Sequence, residues 1–334
     1  MQNNRHLNHI ETMRAIAALM VALFHFTNYF NGSAFLIQDE HIRKPFEYGA
    51  QGVELFYLIS GFIIPYSLSI GQYRINHYFH YLSKRVIRLF PPYLVTIAAI
   101  FAVNFYLAHF VWGSEFHINL KQLVCNVFFI ADFFPDVDWI NPIFATLKVE
   151  LQFYLLIGLL FTLIDRNRYY YVLLCATVLA TGIYFNGTDN VFTNSPYFLT
   201  GLTAFLIFKD GLKWQHILLF ALIFTTLFYY YYSRDFVVNA IGLSLVFLIP
   251  RNSRFLHLTG KISYSFYLIH GLCGGWLLYY LSDKSLGANY PVVTIILALL
   301  SSWIGAFLMY TLIEKPSLKL SKRIRYRELP ESGL

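Results

Sequence analysis

Apolar stretches of about 20 residues, the length that carries a helix across a bilayer, recur ten times along the chain. They lie near residues 10–30, 49–70, 89–109, 142–164, 169–186, 195–208, 214–231, 236–250, 262–281 and 291–313. Short polar segments separate them, and the sixth, seventh and eighth runs are the shortest or most closely spaced. The pattern predicts an all-α, polytopic membrane protein with about ten transmembrane helices. A further apolar stretch, 119–134, is interrupted by "ADFFPDVDWINP" and reads as a re-entrant or surface element. The first run is longer than the core of a cleavable signal and lacks a small-residue cleavage site, so the first helix is expected to stay.

Charge placement supports the same division. With the N-terminus in the cytoplasm, 19 of the 25 Lys and Arg residues fall in inner segments: Arg5 and Arg14, "YRINHYFHYLSKRVIR", "DRNR", "KDGLK", "PRNSRFLHLTGK" and the tail "KPSLKLSKRIRYR". Outer loops keep Arg43, Lys44, Lys121, Arg234 and Lys284, with Lys148 inside a span. This follows the positive-inside rule, with N- and C-termini both cytoplasmic. Composition agrees, since the 334 residues are 57% hydrophobic and only 13% charged, against about a quarter charged in soluble domains. Topology therefore explains the net charge of +7. No basic patch interleaved with stacking aromatics implies nucleic acid. Cys125, Cys175 and Cys273 show no ligand-like spacing, and neither a disulfide nor a metal is expected. His77 and His80, a turn apart on a basic loop without a nearby carboxylate, are too few for a metal site.

Four sets of polar residues stand out against this apolar background. In "ETMRAIAALMVALFHF", Arg14 and His25 are eleven residues apart, which places them on one helix face with an axial separation of roughly 16 Å, and Glu11 shares that face. An ionisable group at the depth of His25 is a functional candidate, or else a histidine bonded between helices with Arg14 snorkelling. Glu150 in "FATLKVELQFYLL" needs Lys148, His25 or an internal water, or is half of an interhelical ion pair. Arg85 and Arg88 in "SKRVIRLFPPY" suit a phosphorylated cytoplasmic ligand as well as simple anchoring, beside a proline pair that should open or kink the third span. In "GKISYSFYLIH", Tyr264, Tyr267 and His270 recur at helical spacing with Ser263 and Ser265, as a lined cavity or a helix–helix seam would have them.

Taken in order, "RAIAALMVALFH", "GVELFYLISGFII", "RVIRLFPPY", "KVELQFY", "GKISYSFYLIH" and "IEKP" resemble the successive signatures of the integral-membrane acyltransferase-3 family. The resemblance spans residues 7–318; a basic cytoplasmic tail, 319–334, follows the domain, taken as 1–318. It implies a ten-helix domain that moves an acyl group, most often acetyl, from cytoplasmic acyl-CoA to a hydroxyl of an extracytoplasmic or lipid-linked carbohydrate. Carried over by position, His25 matches the catalytic histidine, Arg14 an arginine that helps hold the donor, Arg85 and Arg88 the pair linked to CoA, and Glu150 the acidic position of the fourth span. Glu11 and Glu54 stand where the family often has aspartate. Thr146 and Lys148 replace the common tryptophan, serine and small apolar residues, so Lys148 is expected to tune acceptor choice or to neutralise Glu150. The expected location is the inner (plasma) membrane of a bacterium.

The residues' own geometry fits that role. Arg14, Arg85, Arg88 and Lys261 are placed for CoA phosphates, and a pantetheine arm of ~15–20 Å would reach His25 against the roughly 16 Å rise computed above. His25 then acts as general base, with a carboxylate holding its tautomer, or as acyl acceptor. Tyr264, Tyr267 or a backbone amide is left to meet the developing oxyanion, and Tyr264, Tyr267 and His270 are the expected substrate-binding residues. No metal takes part; the partners expected are acyl-CoA, a carbohydrate acceptor that is a lipid-linked or envelope glycan, and the lipid bilayer. A transporter or flippase of lipid-linked sugars is the alternative, though the halves show no internal repeat. A polysaccharide polymerase or ligase is a third class. Its glycan would need the longest outer segment, about 110–141, where Asp132, Asp136 and Asp138 line either a sugar surface or a solvated loop.

Overall fold

The computed structural model describes residues 3–31, 34–185, 187–230, 233–248, 253–282, 287 and 289–324. Most of the expected tail, 325–334, and part of one inner basic segment, 249–252, lie outside the described residues. The fold is helical, apart from a two-residue antiparallel pairing of Phe30–Asn31 with Ala34–Phe35. In chain order the helices are α1 (Asn3–Thr27), α2 (Glu40–Glu47), α3 (Gly52–Ile70), α4 (Tyr78–Tyr106), α5 (Leu120–Val127), α6 (Ile143–Arg166), α7 (Arg168–Tyr184) and α8 (Ser195–Asp210). They continue with α9 (Trp214–Tyr230), α10 (Ser233–Leu248), α11 (Arg254–Lys261), α12 (Ser263–His270), α13 (Trp276–Ser282), α14 (Pro291–Met309) and α15 (Lys315–Ser321). π-helical turns at Gly271–Gly275 and Tyr310–Glu314 join α12 to α13 and α14 to α15.

Among the described residues, five helical stretches are long and apolar enough to cross a membrane: His9–Thr27, Glu40–Ile70, Ile75–Trp112, Ile143–Arg166 and Pro291–Ser321. Tyr169–Tyr184 and Trp214–Tyr230 are apolar but shorter. The expected sixth span is α8, whose 16 residues rise about 24 Å, less than the roughly 30 Å of a hydrocarbon core. Gly211, at φ +78°, ends it in a conformation that glycine tolerates. The expected ninth span is divided among α12, a π turn and α13. Pro91 and Pro92 sit inside α4, which runs helical from Tyr78 to Tyr106, so the expected opening does not occur. The large apolar side chains on the outside, among them Leu159, Leu163, Leu173, Phe228, Ile304 and Leu308, form the surface a bilayer covers.

Small residues set the interhelical distances. Ala15, Ala17, Ala18 and Ala22 of α1 are buried, which lets α3 and α11 approach its backbone closely. A Cβ on Gly260 would stand 1.9 Å from the Glu11 carbonyl oxygen. Between α3 and α8 the approach is reciprocal: a Cβ on Gly61 would meet the Phe198 carbonyl oxygen at 2.1 Å, and one on Gly201 the Leu58 oxygen at 2.0 Å. One apolar cluster gathers α3 and α6–α9 around Leu58, Phe62, Phe153, Phe198 and Phe205. A second gathers α1, α12 and α14 around Val21, Phe26, Phe266, Leu268 and Ala298. Gly201→Leu should therefore cost at least the ~1–3 kcal/mol typical of an overpacked core and lower the detergent-solubilised protein's Tm. Gly275→Ala, where a Cβ meets nothing within 4 Å, should leave Tm unchanged; equal Tm values for both variants would show that the α3–α8 contact is not a tight one.

Candidate active site

Between the two apolar clusters lies a cavity of about 240 Å³ walled by α1, α3, α4, α6 and α12. Six of the nine expected site residues line it: Arg14, Arg85, Arg88, Glu150, Tyr264 and Tyr267. Helical spacing explains the convergence, since Arg85 and Arg88 lie on one face of α4, and Thr146, Glu150 and Tyr154 on one face of α6. Arg85 is buried, with its guanidinium carbon 5.5 Å from the Tyr81 ring centre and 5.4 Å from that of Tyr154. Its Nη2 reaches the Ser67 hydroxyl at 3.5 Å. The Nε–H groups of Arg85 and Arg88 are buried and meet no hydrogen-bond acceptor among the described residues. Unmet cationic donors in an apolar wall are costly, and phosphate oxygens would satisfy them in the fork geometry that guanidinium groups favour. Lys261 is not part of this group. It is exposed at the end of α11, where neighbouring His257 lies against the Glu11 carboxylate.

His25 and His270 meet outside the cavity's lining. The Nδ1 of His25 lies 2.8 Å from the Nε2 of His270, and the rings stack with centres 5.1 Å apart. The other nitrogen of His270, Nδ1, is 2.9 Å from the carbonyl oxygen of Tyr267. A carbonyl only accepts, so His270 Nδ1 carries a proton; its Nε2, in the neutral ring, then accepts one from His25. The network thus assigns the His25 tautomer: Nδ1–H donates to His270 and Nε2 keeps its lone pair. His270 is buried and His25 exposed, so the chain of bonds starts in the protein and ends on an accessible basic nitrogen.

Glu150 does not take part in that chain. Its carboxylate accepts from the Ser60 hydroxyl at 3.0 Å and from the Tyr154 hydroxyl. Neither Lys148 nor His25 bonds to it; Lys148, two residues before it on α6, points about 200° away. Lys148 instead turns outward, pairs with Asp132, and donates to the carbonyl of Asp189 at 2.5 Å. One turn on, the Gln152 side chain accepts from Val191 N–H at 2.9 Å, so one face of α6 grips both neighbouring loops. The segment 119–141 is a folded cap built on Asn126, which joins Gln122, Asp138 and Ile140 and whose carbonyl accepts from Tyr93 at 2.7 Å. Asp132 also accepts from the Trp139 indole, and the Lys121 bond holds the Asp136 carboxyl below the usual range.

Tyr264 donates to the Leu89 carbonyl at 2.9 Å, and Tyr267 meets Thr146 at 2.7 Å. Among the described residues no group of three or more His, Cys, Asp and Glu side chains gathers as metal ligands do. The role of His270 as the partner of His25, across 245 residues of sequence, was outside the reach of sequence reasoning; its place in a polar helix face was the available signal. Glu314 was likewise missed. It is buried in the π-helical turn after α14, accepting from the Ser265 hydroxyl of α12 at 2.6 Å, and its motif "IEKP" had carried only resemblance.

A helical membrane protein with a cationic cavity and an oriented histidine pair is the class that this architecture defines. The acyltransferase-3 family model, described as an acyltransferase domain, matches residues 7–311, and the chain belongs to that family. A curated relative named "Putative acetyltransferase ORF330", from Acidianus two-tailed virus, is 24% identical over 216 residues, covering 61% of this chain and 59% of the relative. No solved structure matches the chain.

The Lys148–Asp132 pair gives a direct test. We expect Lys148→Met to lower Tm, and Asp132→Asn to add little in that background, because the pair acts as one unit. Losses that simply add would show that the two side chains are not coupled.

Proposed function

We propose that this protein transfers an acyl group, most simply acetyl, from cytoplasmic acyl-CoA to a hydroxyl of an extracytoplasmic or lipid-linked carbohydrate. The observation that carries the reading is the bond chain Tyr267 carbonyl–His270–His25, which leaves an accessible basic nitrogen next to an arginine-lined cavity. The reading takes ten spans with both termini cytoplasmic in a bacterial plasma membrane, as the distribution of Lys and Arg favours. Arg14, Arg85 and Arg88 then face the side from which CoA comes, and the unmet guanidinium donors suit its phosphates.

His25 acts as general base. Its Nε2 takes the proton of the acceptor hydroxyl as that oxygen bonds to the thioester carbonyl carbon, and its Nδ1–H stays on His270. The ring, now cationic, gives the proton up to the sulfur as the carbon–sulfur bond breaks, so that CoA leaves as the thiol. His270 holds the tautomer that a carboxylate was expected to hold. Glu150, tied to Ser60 and Tyr154, contributes negative charge opposite the arginines of the same cavity and keeps that wall in place. The acceptor approaches the exposed side of His25, which suits a membrane-held glycan. Lys148 shapes that approach through the loops it anchors.

Release of CoA thiol from acetyl-CoA, with a crude envelope glycan fraction as acceptor, tests the reading. We expect release to require the glycan, to vanish in His25→Ala, and to fall by about 10²–10⁴-fold in His270→Ala, the range general-base catalysis supplies. Arg85→Gln with Arg88→Gln should raise the KM for acetyl-CoA more than it lowers kcat. A His25→Ala protein that is folded and fully active would sink the mechanism. A native protein that neither binds nor consumes acyl-CoA with any glycan fraction would sink the function.

A further inference from the structure

Four tyrosine hydroxyls reach the cavity wall, and three are committed to acceptors that can give nothing back. Tyr264 donates to the Leu89 carbonyl, Tyr154 to the Glu150 carboxylate, and Tyr57 to the Thr146 carbonyl at 3.4 Å. Tyr267 differs, since its hydroxyl lies 2.7 Å from another hydroxyl, Thr146 Oγ1, which is itself 2.8 Å from the carbonyl of Ile143. A hydroxyl carries one proton and accepts as well as donates. Two arrangements therefore share the same heavy-atom positions. In one, Thr146 donates to Ile143 and Tyr267 donates to Thr146. In the other, Thr146 donates to Tyr267, and the Tyr267 proton turns into the cavity.

Exchange between them needs only the rotation of two O–H bonds. The Ile143 carbonyl is not left bare by it, since this residue opens α6 and its carbonyl takes the helical N–H of Leu147. The Tyr267 ring is held edge-on to Phe56, with centres 5.5 Å apart. Its backbone carbonyl is the one that orients His270, and the two rings are 6.0 Å apart. One residue of α12 thus fixes the basic nitrogen through its main chain and presents a releasable donor through its side chain.

We infer that the Tyr267 hydroxyl is the oxyanion donor of the transfer, and that Thr146 is the hydroxyl that frees and then supports it. This rests on the acyl-transfer reading above. As the acceptor oxygen bonds to the carbonyl carbon, the carbonyl π pair moves onto oxygen; Tyr267 O–H hydrogen-bonds to that oxygen without losing its proton. Thr146 turns to donate to the Tyr267 oxygen and so strengthens Tyr267 as a donor. When the oxygen lone pair re-forms the carbonyl and the carbon–sulfur bond breaks, both hydroxyls turn back. The heavy atoms of this donor are already in place and buried, so only the two O–H rotations accompany the developing charge, and donors so held act most strongly.

The test uses the full-length purified protein with acetyl-CoA and the envelope glycan fraction, comparing native chain, Tyr267→Phe and Thr146→Val. Phe keeps the ring packing and the carbonyl to His270, and matched Tm values establish folding. For Tyr267→Phe we expect kcat to fall by about 10²–10³-fold, as when other oxyanion donors are removed, with an almost unchanged KM for acetyl-CoA. Thr146→Val retains the Tyr267 hydroxyl and should lose no more than about tenfold, a fraction of one donor's worth. A Tyr267→Phe protein with native kcat, or one whose defect lies in KM alone, overturns the inference. If the native chain is active and His25→Ala is dead, that result refutes the donor assignment alone; if the native chain is inactive, the acyl-transfer reading falls first.

Discussion

An apolar bundle in a bilayer offers an ionised or polar group no water, so each one that enters must be met by protein. The interior of this protein is organised by those meetings. Glu150 is held by two hydroxyls, Glu314 by a serine, Lys148 by a carboxylate and a carbonyl, and His270 by a carbonyl and a second histidine. Each partner comes from another helix or loop, or from a neighbouring turn. The polar contacts therefore specify which elements stand side by side, a task the apolar contacts cannot perform alone where lipid is as apolar as leucine. Among the described residues the Nε–H groups of Arg85 and Arg88 are buried without an acceptor, and both residues line the same cavity.

That cavity separates two kinds of chemistry without separating their supports. Cationic groups from α1 and α4 gather at it, while the histidine pair joins α1 to α12. Since α1 carries both Arg14 and His25, the span between the cationic cavity and the histidine pair is the rise of one helix. A rigid ruler of this kind needs a fixed neighbour, and Gly260, pressed on the Glu11 backbone, seats α11 firmly against α1.

Much of this was legible in the residue pattern. Periodicity alone put Arg14 and His25 on one face of α1, and Arg85 with Arg88 on one face of α4, because such relations are local. The order of short motifs led to the family that residues 7–311 match. What could not be read were pairings between distant segments. Nothing near His25 in sequence points to His270, and the expectation that a carboxylate would hold the histidine tautomer came from chemistry that Glu150 is oriented away from performing. Lys148 was expected to tune acceptor choice or to neutralise Glu150, from which it stands two residues away in sequence; on a helix that spacing is opposition. Span counting by apolar runs met a similar limit at α8. A helix packed on several sides by protein stays apolar whatever its length, so hydropathy reports its burial and leaves its reach open.

The α3–α8 contact has an effect beyond stability. None of α8 lines the cavity, yet α3 supplies one whole wall of it, from Val53 to Ser67, and Gly61 and Gly201 hold that wall at backbone contact with α8. A side chain added on α8 would press the wall inward, and slack there would let it retreat. The volume of the cavity is thus set in part from a helix that contributes nothing to its lining, and it can change while every residue facing it stays the same.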